Sequence, residues 1–143
     1  MTSTLATLNG SASPNLWAAT GWFRYSTTNP GTCDDTFGTR APATGGADLG
    51  SGSSAVAYSQ AITGLTPGTT YHYCAIAASA AGTGFGSVQS FTTAAAPSVT
   101  TAAATSVTST GATLNGSASP NLSAATGWFR FSATNPGTCH DTF

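Results

Sequence analysis

Lysine and glutamate are missing from these 143 residues altogether. Every formal side-chain charge sits on Arg24, Arg40 and Arg130 or on Asp34, Asp35, Asp48 and Asp141, so charged residues make up only 5% of the chain. Helices in water draw on Glu and Lys for their outer faces, and without them a helix-rich fold is disfavoured. A net charge of −1 with no basic patch leaves no footprint for nucleic acid or anionic lipid. No run approaches the roughly 20 apolar residues of a transmembrane helix, so membrane insertion is not expected. Histidine occurs only at His72 and His140, and neither a Gly-x-Ser-x-Gly elbow nor an HExxH helix accompanies it. The expectation is therefore a chain without catalytic residues, cofactor or metal. The start, Met1-Thr2-Ser3-Thr4, lacks the positive charge and apolar segment of a secretory signal, so an exported protein would be represented here by a mature form or an excerpt.

What the chain does have is aromatic residues, 10% of the total, set in alternating runs that exclude simple disorder. It also repeats itself. Residues 2–37 and 108–143 match at 31 of 36 positions with an offset of 106 residues. The five differences are Leu5/Gly111, Trp17/Ser123, Tyr25/Phe131, Thr27/Ala133 and Asp34/His140. Such a period is far longer than a solenoid unit and matches one independently folding β-sandwich of about 100 residues. The second copy is preceded by PSVTTAAATSV, which the first lacks, and it has no counterpart of residues 38–93. The expected organisation is a module lacking its first strand over 1–93, a linker and the first strand of the next repeat over 94–107, and the N-terminal half of a second module over 108–143.

Short β-rich runs between Gly, Pro, Asn and Ser clusters predict an all-β fold. Residues 4–12 alternate, with Ala6 and Leu8 on one face and Thr7 and Asn9 on the other. The run continues through Asn9-Gly10, which is read as strand rather than as a hairpin turn. In 20–27, Phe23 and Tyr25 share one face and Trp22 and Arg24 the opposite one. Residues 54–62 alternate similarly. In 70–79, Tyr71, Tyr73, Ala75 and Ala77 lie on one face and His72, Cys74 and Ile76 on the other. Residues 86–93 close the module, offering Val88 or Phe91 to the core.

GLTPGTTYHYCAIAASAAG at 64–82, followed by FGSVQSFTT at 85–93, resembles the end of a bacterial fibronectin type III domain. There a Leu-x-Pro-Gly-x-x-Tyr turn leads into the penultimate strand. Residues 98–120 resemble that family's first two strands and 19–26 its third. The resemblance implies an immunoglobulin-like β-sandwich in tandem repeat, with Tyr71 as a tyrosine corner whose hydroxyl bonds back to the backbone across the Pro67-Gly68 bend. The family's usual Trp in the second strand is not evident, and Trp22 is not equated with it. In such a sandwich the strand preceding Cys33 neighbours the strand carrying Cys74. A Cys33–Cys74 disulfide is thus implied, closing a loop worth about 4 kcal/mol on a chain-entropy model. Free thiols packed as small apolar residues are the other reading. Cys139, the repeat of Cys33, is expected to be unpaired or intermolecular.

Asp34-Asp35, with Asp48, would suit calcium only as part of a denser oxygen set, and His140 replaces Asp34 in the repeat, so a solvated turn is the better reading. Trp22 and Arg24, with Trp128 and Arg130, are a candidate contact surface for a sugar or a neighbouring module; stacking of Arg24 on Trp22 is the simpler alternative. Asn9, Asn115 and Asn121 each open an N-x-Ser sequon and are candidate glycosylation sites. Sugars would help to solubilise a surface with so little charge. Together these readings point to an extracellular or cell-surface protein. Its expected role is a non-enzymatic structural subunit of a fibre or stalk, self-associating or packing on neighbouring repeats, with strand complementation as one mode of assembly. An adhesin or carbohydrate-binding accessory module is the alternative.

Overall fold

A computed structural model describes residues 2–142, and among them there are ten strands and no helix. The chain divides into two compact units, Met1–Ala95 and Ala96–Phe143. The first carries β1 (Leu5–Ala12), β2 (Ala19–Ser26), β3 (Thr39–Ala41), β4 (Ala47–Gly50), β5 (Val56–Thr63), β6 (Thr70–Ser79), β7 (Gly82–Phe85) and β8 (Gln89–Thr92). The second carries β9 (Ser98–Thr105) and β10 (Thr113–Ser119).

In the first unit all pairings are antiparallel. β1 pairs with β5 from Leu5 opposite Thr63 to Ala12 opposite Val56. The larger sheet is built on β2 and β6, which pair along their whole length from Ala19 opposite Ser79 to Ser26 opposite His72. β3 and β4 line the other edge of β2, and β7 and β8 the other edge of β6.

The inward face of each strand follows from its alternation. Ala6 and Leu8 of β1 and Tyr58 and Ile62 of β5 are buried against Ala19, Phe23, Leu49 and Tyr71. Phe23 is wholly buried, with its ring 5.0 Å from that of Tyr58. Phe91, one of the two candidates to close the core, stacks on Tyr71 at 5.5 Å. Gly10 stays within β1, as the alternation predicts, and a Cβ there would lie 2.6 Å from that of Ala75 on β6. Close approach of the two sheets at this point requires the missing side chain.

The outward face of the larger sheet departs from expectation. Alternation puts Trp22, Cys74 and Ile76 on that face, but they are not exposed: Trp22 is 8% accessible, and Cys74 and Ile76 are fully buried. The segment between β2 and β3 folds back over the sheet, and Cys33 and Phe37 pack on them to form a second small core. Alternation decides which face a residue takes; it does not reveal that a loop will cover that face.

The second unit is a β-hairpin followed by irregular chain. β9 and β10 pair antiparallel, with Ala118 opposite Val99, Gly116 opposite Thr101 and Asn115 opposite Ala102, and a register shift between Thr113 and Asn115. None of its described residues is buried, and residues 125–132, the repeat of β2, form no strand.

Candidate functional site

The loop over the outer face is fastened covalently and electrostatically. Cys33 and Cys74 form a disulfide with Cα atoms 6.0 Å apart, tying the loop to the middle of β6. Asp35 sits above β2, where its Oδ1 accepts hydrogen bonds from Trp22 Nε1 and Arg24 Nε, each at 2.9 Å. Arg24 Nη1 also donates to the carbonyls of Phe37 and Gly38, at 3.4 and 3.3 Å. Arg40 completes the cluster, its guanidinium carbon 4.6 Å from the centroid of the Trp22 ring. The cation stacked on Trp22 is therefore Arg40 from β3, and Arg24 serves as the ion-pair partner of Asp35.

Electrostatics follow from these bonds. Asp34 Oδ1 accepts from the hydroxyl and N–H of Thr36 and from the N–H of Phe37, which together hold its carboxyl below the ordinary value. Partial desolvation pulls the Asp35 carboxyl upward, but the bonds from Arg24 and Trp22 outweigh it and the net shift is downward. Asp48 is occupied separately, accepting from the N–H of Gly50 at 2.8 Å. Among the described residues no three His, Cys, Asp or Glu side chains lie close enough together to hold a metal ion. Burial pushes the Tyr58 hydroxyl upward, and it donates to the Ile76 carbonyl at 2.9 Å.

At the other end of β6, the Tyr71 oxygen accepts a hydrogen bond of 3.0 Å from the N–H of Thr66, spanning the Pro67-Gly68 bend. Thr93 braces the same turn by donating to the Thr66 carbonyl at 2.7 Å. These hydrogen bonds fasten the covering loop and the Pro67-Gly68 bend to the sheet. Trp22 cannot meet a ligand as an exposed aromatic, which corrects its expected place in a contact surface; Arg24 is bound to the covering loop. Their repeats Trp128 and Arg130 are exposed, with Trp128 65% accessible.

The three sequon asparagines have different surroundings. Asn9 is exposed on β1. Asn115 Nδ2 donates to the Ala103 carbonyl at 2.9 Å and lies 3.1 Å from the Thr105 hydroxyl, both on β9. Asn121 Nδ2 donates to the Ala96 carbonyl at 2.6 Å. Cys139 is a free, exposed thiol.

One feature of the first unit escaped sequence reasoning. A groove of about 470 Å³ runs between the end of β1 and β7, with Ala12, Pro14 and Ala19 on one side and Ala75, Ala77 and the half-exposed Phe85 on the other. Its signal lies in β6, whose inward face steps from Tyr71 and Tyr73 down to Ala75 and Ala77. Bulky residues fill one end of the sandwiched space and small ones leave the other open. Comparison of the chain with protein-family models, with characterised proteins and with solved structures produced no match.

Proposed function

We propose that this chain is a non-enzymatic structural subunit of an extracellular fibre or surface stalk, built from fibronectin type III-like sandwich modules in tandem and joined by strand complementation between copies. The observation that carries this reading is the near-identity of residues 2–37 and 108–143 together with an open strand edge in the first unit. In the first unit β1 pairs, among the described residues, with β5 alone. Open strand edges of this kind are templates for another strand. The disulfide belongs to an oxidising compartment, which supports an extracellular location. Sugars on exposed Asn, Ser and Thr would keep so weakly charged a surface in solution.

Negative-stain electron microscopy and light scattering of the full chain test the proposal. Elongated assemblies that grow with concentration are expected, and deletion of residues 97–107 should abolish them without impairing secretion. A chain that remains a compact monomer at every concentration would refute it; long fibres from the deletion variant would refute the strand-complementation mode.

The exposure of Trp128 beside Arg130 supports the second reading, an adhesin or carbohydrate-binding module. That reading requires glycan binding by the full chain that Trp128→Ala removes.

A further inference from the structure

The same β-strand occurs twice in this chain with different neighbours. Residues 113–119 of β10 repeat 7–13, so Ala118 corresponds to Ala12, Gly116 to Gly10 and Asn115 to Asn9. β10 is paired with β9, whereas β1 is paired with β5 and, among the described residues, with nothing on its other edge. The space beside the two strands matches as well. Ala118, Pro120 and Ala125 line a smaller hollow in the second unit, of about 290 Å³, together with Pro97 and Val99 at the start of β9. Their counterparts Ala12, Pro14 and Ala19 line the groove of the first unit, where no such residues are present.

We propose that the open edge of β1 takes β9 of a second copy of this chain, in the antiparallel register that β10 displays. Ala12 then faces Val99 of the second copy, Ser11 faces Thr100, Gly10 faces Thr101 and Asn9 faces Ala102. Residues directly opposite in a sheet share a face, so Val99 and Thr101 turn inward with Ala12 and Gly10. Val99, exposed in the second unit, enters the alanine-lined groove. Asn9 supplies the bond that Asn115 makes, from its amide to the Ala103 carbonyl of the incoming strand. A sugar on Asn9 would obstruct that bond, so the docked form carries a bare Asn9. Among the described residues β9 covers no buried side chain in its own unit, whereas beside β1 it faces the core of a folded one. This inference rests on the proposed self-association and adds its edge, its register and its plug.

The test uses the full chain, unglycosylated, in a Cys139→Ser background. Chains bearing Ala12→Cys are mixed with chains bearing Val99→Cys or, as the opposite-face control, Thr100→Cys, and oxidised. The 12–99 pair should cross-link between chains and the 12–100 pair should not. Val99→Asp, a substitution at an exposed position outside the first unit, should weaken association at least tenfold while leaving the unfolding of that unit unchanged at dilutions where the chain is monomeric. Association that persists with no 12–99 cross-link, or with equal linking at 99 and 100, overturns the register and leaves the structural reading standing. A chain that is monomeric throughout takes down both.

Discussion

Residues 2–37 and 108–143 are nearly the same sequence in two conditions. ATGWFR is the start of β2 in one place, with Phe23 fully buried; in the other it is irregular chain, with Phe129 52% accessible. What survives the change is local. Asn29 and Asn135 each accept from the N–H of the glycine two residues on, at 2.9 Å. Gly31 and Gly137 share φ of 76°, and Asp141 accepts from Trp128 and Arg130 just as Asp35 does from Trp22 and Arg24. What is lost is everything β6 supplies: the ladder along β2, the inward burial and the disulfide partner. Turns and short side-chain clasps are written in neighbouring residues, whereas a strand here is defined by the strand beside it.

The comparison breaks most visibly at its aromatic. Phe23→Ala should cost the first unit about 3–5 kcal/mol, because truncation leaves a cavity between Tyr58 and Tyr73. Phe129→Ala should shift the same unfolding transition by less than about 0.5 kcal/mol. Urea denaturation followed by circular dichroism measures both. Equal losses would mean that the second segment shares a core the structure does not give it.

The cysteines sharpen the same contrast. Cys33→Ser should destabilise by about 2–4 kcal/mol, since a 41-residue separation is no longer closed in the unfolded chain. It should also free a second thiol, Cys74, which is buried and so labels only on unfolding, while Cys139→Ser leaves stability unchanged. Thiol labelling of the folded and of the unfolded protein, before and after each substitution, provides the count.

Legibility from sequence divides along the same line. The alternation of Ala6 and Leu8, of Phe23 and Tyr25 and of Tyr71 and Tyr73 shows which faces turn inward, and residues 70–79 coincide with β6. Packing partners that arrive from other elements leave no mark in a strand's own pattern. β3, β4 and β7 are three or four residues long and owe their form to the edges of β2 and β6, so no local run announces them. The burial of Trp22 depends on Phe37 and Cys33 arriving from a loop, and the stacking of Arg40 in place of Arg24 depends on β3 lying beside β2. The groove beside β1 required knowing that two sheets meet over Ala75 and Ala77.

The smallest effect separates the two aspartates. Asp35 has a native carboxyl pKa below the unfolded value of about 3.9, so the unfolded chain binds more protons in acid. Its contribution is fully present above about pH 5 and is lost as pH falls through the unfolded and then the native value. With a side chain 40% accessible, the ion pair is screened by solvent, and the gain is under about 1 kcal/mol. Asp35→Asn should therefore flatten part of the acid limb of the melting-temperature profile between about pH 5 and 2. Asp34, whose carboxyl is also held low, keeps its bonds to Thr36 and Phe37 in the variant, and the second segment replaces it with His140. Asp141→Asn, in a unit with no buried residue among those described, should leave the first unit's profile unaltered. An acid limb identical in wild type and Asp35→Asn would show that the Trp22–Asp35–Arg24 clasp is held by the disulfide-anchored loop and adds no proton-linked stability of its own.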